Sequence, residues 1–310
     1  MSFLVRLDRN KYPPHALDDF TASVHFNLVD ARAMMWLSQL AYETDDKPKV
    51  ESILDGWHLT KLTIESNAPS TGLPPHSACA VVAEGDRATF VMFGGSDPLK
   101  FQDWITDFEA IPDPDGVHTG FEAAVGTVWP AIQTAIESRA APGQPLFFTG
   151  HSLGGALAII AAGRATALKP KVDIVVYTFG SPRTGGMAFF NDYTRQLGDT
   201  TFRLVHGTDI VPTVPPTLLG TYRHVGCAVQ CRTEGFFDPQ TIMSHDGNKP
   251  DIIESAAQTG IADIGALAAV RPFHGIGPGL SDQLAGFLPR MILDHVPDNY
   301  FRALSITIDR

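Results

Sequence analysis

The chain has 310 residues, 44% of them hydrophobic, and a formal net charge of −11 at pH 7. Its length and apolar content suffice for one large α/β domain with a sizeable core. The acidic charge argues against DNA or another polyanion as a partner. Because no stretch of about 18 uncharged apolar residues occurs, we expect no transmembrane span.

Three cysteines, Cys79, Cys227 and Cys231, are too few for a disulfide framework. We expect free thiols, although Cys227 and Cys231 could pair in an exported protein. The cysteines have no cluster of histidine or aspartate residues beside them, so we expect no metal site there.

The first ten residues lack a continuous apolar core, which predicts a cytoplasmic protein by default, or export by a route without a leader.

Helices and strands alternate along most of the chain. One segment has the spacing of an amphipathic helix, a second is typical of a helix, and several apolar runs are typical of strands. We predict helices at 28–43 and 120–139, a hairpin of strands at 78–83 and 88–93, and further strands at 172–179, 201–206 and 221–229. This order predicts a largely parallel sheet with helices on both faces, whose strand-end loops share one edge.

Residues 252–287 form a less regular segment. They are rich in Ala, Gly, Ile and Leu, and they are interrupted by Arg271-Pro272 and by the glycines of 275–279. We predict two short helices around a loop. These helices either pack against the sheet or form a partial cap over the site.

The most informative motif is Gly150-His151-Ser152-Leu153-Gly154. It fits the G-x-S-x-G turn that presents a serine hydroxyl between a strand and a helix. The apolar run at 145–148 suits a buried strand, and the Ala-rich stretch at 154–168 favours a helix. A chance Gly-rich turn is the alternative, but this strand–turn–helix context favours Ser152 as a nucleophile.

A serine nucleophile requires a base and a carboxylate that orients the base. The usual chain order in such folds is nucleophile, acid, base, so the acid should follow Ser152. Asp209 directly follows a predicted strand and is our candidate, although a turn or helix-cap role is common for such an aspartate. Asp173 opens a strand, and Asp294 is adjacent to a candidate histidine, so both are less suitable.

Four histidines follow Asp209 and compete for the role of base: His224, His245, His274 and His295. His224 lies in a predicted strand and is more typical of a packed residue. The other three lie in loops, and their spacing alone does not separate them.

The oxyanion of the reaction also requires hydrogen-bond donors. The backbone N–H of Leu153, directly after the nucleophile, is one candidate. A second is Ser96, because Gly94 and Gly95 at the end of a predicted strand allow close backbone approach. A plain strand-to-loop turn is the alternative there.

The segment at 97–108 predicts a short amphipathic helix, with Asp97 as N-cap and Pro98 in the first turn. Its apolar side chains fall at helical spacing on one stripe: Phe101, Trp104, Ile105 and Phe108. Such a stripe either faces the core or belongs to a movable lid that begins at the oxyanion loop.

Several short motifs occur in one order between about Asp30 and Phe301. They are Phe93-Gly94-Gly95-Ser96, Asp103-Trp104-Ile105-Thr106-Asp107, Val117-His118-Thr119-Gly120-Phe121, Gly150-His151-Ser152-Leu153-Gly154-Gly155-Ala156, Thr178-Phe179-Gly180-Ser181-Pro182-Arg183, Asp209-Ile210-Val211-Pro212 with Pro215-Pro216, and Asp294-His295. In these motifs the chain resembles the class 3 lipases, the fungal-lipase-like branch of the α/β hydrolases.

The resemblance implies an α/β-hydrolase fold in a single domain over 1–310, with a mostly parallel central sheet flanked by helices and a short helical lid. It implies Ser152 as nucleophile, Asp209 as acid and His295 as base. It also places Ser96 and Leu153 at the oxyanion hole. The lid at 97–108 would contribute these acyl-binding side chains: Leu99, Phe101, Trp104, Ile105 and Phe108.

Members of that family hydrolyse acylglycerols and other carboxylic esters without a cofactor or metal. The resemblance therefore implies a lipase that releases fatty acids through an acyl-enzyme. Its substrate would be a lipid or another ester, bound at an oil–water interface. A carboxylesterase or phospholipase acting on shorter or polar esters is the alternative. A non-catalytic scaffold is disfavoured because every triad candidate is present. The sequence does not indicate an oligomeric state.

Overall fold

The computed structural model describes residues 6–66, 78–95, 116–168, 172–215, 222–243 and 290–308. The α-helices within these ranges are α1 (Leu28–Leu40), α2 (Lys47–Gly56), α3 (Thr119–Ser138), α4 (Leu153–Leu168), α5 (Met187–Leu197), α6 (Arg290–Leu293) and α7 (Pro297–Ala303). The strands there are β1 (Thr60–Ser66), β2 (Cys79–Glu84), β3 (Thr89–Gly94), β4 (Leu146–His151), β5 (Ile174–Phe179), β6 (Thr201–His206), β7 (Cys227–Cys231) and β8 (Ile242–Met243).

All strands of the described residues form one sheet, in which the spatial order equals the chain order from β1 to β8. The strands from β3 to β7 pair in parallel. The pairs β1–β2, β2–β3 and β7–β8 are antiparallel. The prediction of a mostly parallel sheet flanked by helices is confirmed, and the parallel strands bring their carboxyl ends to one edge.

Each face of the sheet is covered by its own hydrophobic cluster. Successive side chains of a strand point to opposite faces, and β4 illustrates this: Phe147 joins the cluster that contains α1 and α2, whereas Phe148 joins the cluster that contains α3 and α4. Helix α4 is buried along most of its length, which explains why its sequence is apolar on every side.

Most predicted strand positions agree with the structure. The strand predicted at 201–206 matches β6, and the predicted hairpin corresponds to β2 and β3. The strand predicted at 221–229 is wrong at its start, because β7 begins only at Cys227. Gly226 has φ +74° and lies so close to Thr201 that a Cβ would overlap it, so extended structure is interrupted there.

Two predicted segments lie outside the described residues, namely the lid at 97–108 and the possible cap at 252–287. Cys79, Cys227 and Cys231 are free thiols. In the ranges that the structure describes, no helix has both the length and the apolar character needed to cross a bilayer.

Candidate active site

Ser152 occupies a sharp turn between a strand and a helix. Strand β4 ends at His151 and α4 begins at Leu153, so the serine alone makes the connection. Its φ is +58°, a conformation that non-glycine residues rarely adopt. Its N–H donates to the Phe179 carbonyl oxygen at 2.9 Å, which ties the turn to the end of β5. Such a strained, tied turn is typical of a nucleophile elbow.

The two glycines of the motif are required by close packing. A Cβ at Gly150 would overlap the backbone of Gly154, and a Cβ at Gly154 would overlap the Phe93 carbonyl oxygen at the end of β3. The sequence pattern is therefore explained by a real steric constraint at this turn.

Asp209 lies in the loop after β6 and is completely buried. Its Oδ1 accepts a hydrogen bond from the backbone N–H of Val211 at 2.8 Å. Its Oδ2 accepts from the Tyr300 hydroxyl at 2.6 Å and lies 2.9 Å from Nδ1 of His295. These contacts hold the carboxylate in one orientation and direct it at the imidazole.

His295 lies in the turn between α6 and α7, and only 3% of its surface is exposed. Gly180, with φ +59°, passes directly beneath the Asp209–His295 pair: a Cβ there would stand 2.6 Å from Asp209 Oδ2 and 3.0 Å from His295 Nδ1. Gly180 directly follows β5, the strand whose last residue holds Ser152. The structure therefore brings Asp209 and His295, the predicted acid and base, together at the strand edge that carries the serine turn.

Tyr300, in α7, is a site residue that the sequence reasoning missed. Burial raises the pKa of its hydroxyl well above the usual value, and the negative charge of Asp209 adds to this effect. The hydroxyl therefore stays protonated and remains a donor to Asp209. No local pattern marks Tyr300, because its partner Asp209 lies 91 residues earlier in the chain.

His151 is a second missed residue. It is fully buried, and burial lowers its pKa well below the usual value, with a further contribution from neighbouring His295. Its Nδ1 lies 2.8 Å from the hydroxyl of Tyr42, which belongs to a short 3₁₀ helix at Ala41–Glu43. The ring is therefore neutral, and its contact with Tyr42 fixes it next to the serine turn.

Of the predicted oxyanion donors, Leu153 is the first residue of α4, so its N–H has no partner within the helix. The positive end of the helix dipole adds to its capacity to hold an anion. Ser96 lies outside the described residues. The preceding residue, Gly95, packs so closely on the His151 carbonyl oxygen that a Cβ would stand only 2.6 Å away. Gly95 therefore lies directly against the serine turn.

The rival acids lie elsewhere. Asp173 is exposed at the amino end of β5, opposite to the edge that carries Ser152. The Asp294 carboxylate is directed at Thr208. Among the rival bases, His224 lies ahead of β7 and its Nε2 donates to the Pro212 carbonyl oxygen at 2.7 Å.

The remaining rival bases, His245 and His274, lie outside the described residues. Within the ranges that the structure covers, no group of three or more His, Cys, Asp or Glu side chains could hold a metal ion.

Comparison with known proteins gives a consistent picture. Residues 90–219 match the family model for lipase (class 3). The chain is 38% identical over 154 residues to the secreted mono- and diacylglycerol lipase 1 of Fusarium solani, covering 47% of this chain and 45% of that protein. It is 33% identical over 161 residues to the lipase of Rhizomucor miehei, covering 47% and 43%. This chain thus spans about half the length of the relatives it matches.

A solved structure of a triacylglycerol lipase, described as having a serine protease triad as its catalytic centre, superimposes with a TM-score of 0.56. It is 26% identical in sequence, and the match covers 65% of this chain and 78% of that one. The expected α/β-hydrolase fold agrees with this similarity.

The expectation of a cytoplasmic location by default is wrong. It was drawn from the composition of the first ten residues, whereas the Fusarium solani relative is a secreted lipase. A local composition at one end of the chain is weaker evidence than similarity over the region around the serine turn.

Proposed function

We propose that the chain, which matches the class 3 lipase model over residues 90–219, is a serine ester hydrolase that releases fatty acids from acylglycerols. One observation carries the proposal: a buried Asp209–His295 pair at 2.9 Å lies at the sheet edge that presents Ser152 on a positive-φ turn. A nucleophile, a base and an orienting carboxylate at one edge are the parts that acyl transfer requires.

In the proposed reaction, His295 takes the proton of Ser152 as the serine oxygen attacks the ester carbonyl carbon. Because Nδ1 of His295 is directed at Asp209, Nε2 is the nitrogen that receives this proton. The same proton then passes to the leaving alcohol, and an acyl-enzyme remains on Ser152. Water, activated by His295, hydrolyses the acyl-enzyme, so that fatty acid is released and the serine is restored.

Asp209 stabilises the imidazolium that forms during these steps. Its three contacts, with Val211, Tyr300 and His295, fix its position before the reaction begins. The oxyanion is proposed to rest on the N–H of Leu153 and on Ser96. Losing one such donor typically lowers turnover by about 10²–10³-fold.

We further propose that the whole chain, 1–310, is a single domain with a lid at 97–108 that opens at an oil–water interface. The apolar stripe of the lid sequence supports this, because exposing it costs less at an interface than in water. The names of the relatives, a mono- and diacylglycerol lipase and a triacylglycerol lipase, support an acylglycerol as substrate.

The first experiment measures ester hydrolysis and labelling by a fluorophosphonate probe in the wild type and in Ser152→Ala. We expect Ser152→Ala to lose turnover by several orders of magnitude and to lose labelling, while its melting temperature stays near that of the wild type. Ser38→Ala is the matched control, because Ser38 is equally buried and hydrogen-bonded to the Met35 carbonyl oxygen in α1. Esterase activity that survives in Ser152→Ala would refute the assignment.

The second experiment tests which histidine is the base and which acyl chain lengths the enzyme hydrolyses. We expect Asp209→Asn and His295→Ala to be severely impaired, and parallel substitutions of His245 and His274 to have little effect. Hydrolysis rates against acyl chain length, with and without an emulsion, then test the lipase assignment. A strict preference for short soluble esters would instead indicate a carboxylesterase.

A further inference from the structure

We infer that Asp294 is a positioning residue, whose carboxylate holds the loop that carries Asp209 against the segment that carries His295. The inference rests on the proposed function. Asp294 Oδ2 accepts two hydrogen bonds from the Asp209 loop, from the Thr208 N–H at 2.7 Å and the Thr208 hydroxyl at 2.9 Å. It accepts a third from the Thr233 hydroxyl at 2.8 Å, in the segment that follows β7.

The contact is adjacent to the acid–base pair on both segments. Thr208 precedes Asp209, and Asp294 precedes His295. Consecutive Cα atoms are about 3.8 Å apart, so fixing residue 208 against residue 294 limits how far residue 209 can move from residue 295. Each segment thus contributes one carboxylate, and each carboxylate binds the opposite segment.

Asp294 is as buried as Asp209, with no exposed surface. Its carboxylate lies on Gly207, which has φ +54°, and a Cβ there would overlap the carboxylate. Gly180 makes the same kind of room for Asp209. The two carboxylates are therefore seated alike, each over a left-handed glycine at the end of a parallel strand.

The cation of Arg290 offsets the charge of Asp294, and the His206 ring lies beside the same carboxylate. Its Oδ1 lies 3.3 Å from Nε of Arg290 and 3.6 Å from Nδ1 of His206. The His206 ring also contacts the backbone carbonyl oxygen of Asp294 at 3.2 Å. Asp294 acts on the reaction through the geometry of the backbone that it holds.

The test is Asp294→Asn. An amide oxygen accepts at most two of the three hydrogen bonds and its NH₂ cannot accept, so the grip on Thr208 is weakened. With a short soluble ester, we expect kcat to fall on the order of 10–100-fold while KM changes little, because displacement of the base affects the transition state rather than binding. The rate of labelling by the fluorophosphonate probe should fall in parallel.

Thr208 provides a second route to the same answer if Asp294→Asn does not fold. Thr208→Val removes one donor to the carboxylate at nearly constant shape, and kcat should fall. Thr208→Ser keeps that donor and should restore turnover to near the wild-type value.

Asp30→Asn is the matched control for stability. Asp30 is also fully buried, and it accepts hydrogen bonds from Thr21, Ser23 and Asn27 at the start of α1. We expect Asp30→Asn to lower the melting temperature without changing kcat.

The outcomes distinguish the positioning role of Asp294 from the proposed function. An active wild type with an unimpaired, folded Asp294→Asn variant would overturn the positioning role alone, as would an equal loss of kcat in Asp30→Asn. A wild type that neither hydrolyses esters nor reacts with the probe would overturn the proposed function, and this role with it.

Discussion

The imidazole of His151 stacks on that of His295, with ring centroids 4.6 Å apart, and contacts its backbone carbonyl oxygen through Nε2 at 2.8 Å. A carbonyl oxygen can only accept, so Nε2 of His151 carries the hydrogen. Because burial lowers the pKa of His151, the ring is neutral and its Nδ1 accepts from the Tyr42 hydroxyl. The residue beside the serine thereby holds the residue proposed as base.

Tyr42→Phe should weaken this arrangement. The substitution leaves Nδ1 of His151 buried without its donor, which should lower the free energy of unfolding by about 1–3 kcal/mol. We also expect kcat to fall, because the His151 ring is then less firmly held against His295. Urea unfolding and turnover of a soluble ester measure the two effects.

Tyr193→Phe is the control for that comparison. Tyr193 is also a buried tyrosine, and its hydroxyl lies 2.9 Å from Oγ1 of Thr201 on the opposite side of the sheet. Its loss should reduce stability but leave kcat unchanged. Equal kcat values in the wild type and Tyr42→Phe would contradict the link from His151 to the base.

Tyr300→Phe should lower kcat roughly 10-fold, because Asp209 loses a charge-assisted hydrogen bond while the aromatic ring stays packed. The backbone N–H of His206, which donates to the same hydroxyl at 3.2 Å, also loses its acceptor, so stability should decrease. Steady-state kinetics at constant pH provide the measurement. Unchanged turnover in the folded variant would show that Val211 and the imidazole suffice to orient the acid.

Gly180→Ala should be strongly damaging. The new Cβ would meet Asp209 Oδ2 at 2.6 Å, and φ +59° is unfavourable for alanine. We expect both turnover and melting temperature to fall. Gly126→Ala is the control: nothing lies within 4 Å of its Cβ position in α3, so stability should rise by about 0.5–1 kcal/mol with normal turnover. A Gly180→Ala variant with wild-type turnover would disprove the crowding beneath the acid–base pair.

His118 should make stability depend on pH. It caps α3 by accepting from the N–H groups of Gly120 and Phe121, and burial lowers its pKa from 6.5 to about 4. Between these values the unfolded chain binds more protons than the folded one, so stability falls as pH decreases below 6.5 and levels off below about 4. From pH 7 to pH 5 this one group should cost about 2 kcal/mol.

The measurement is urea unfolding at several pH values in the wild type and in His118→Asn. Asparagine still caps the helix but does not titrate in this range. The difference between the two pH profiles isolates His118 from other buried histidines. Parallel profiles would mean that the pKa of His118 is the same in the folded and unfolded chain.

The sequence was sufficient to predict those features that depend only on residues close together in the chain. The limits of β6 follow from a short run of strand-favouring residues that ends before Gly207, and the serine turn follows from two glycines whose steric need is visible in the structure. The start of β7 was missed because Gly226 adopts a positive φ against Thr201, a contact between distant residues. Helix α2 and strand β1 were not predicted at all, since their apolar patterns are short.

In the candidate site, too, residues marked by local sequence could be predicted, and residues defined by distant contacts could not. Asp209 could be proposed because it directly follows a strand. Spacing could not choose among His245, His274 and His295, because the base is defined by a contact made across 86 residues of chain. Tyr42 and Tyr300 act through their hydroxyls at the ends of similarly long separations, and no pattern in the sequence marks such partners.

The serine and its proposed base are anchored with unequal strength. Ser152 directly follows the fourth strand of the described sheet, which has two parallel neighbours, whereas His295 lies between helices of four and seven residues. Short helices separate from a protein at lower free-energy cost than central strands. Under gentle heating or dilute urea, this molecule would lose its reactivity before it loses its architecture, and it would regain that reactivity once the carboxyl-terminal segment docks again.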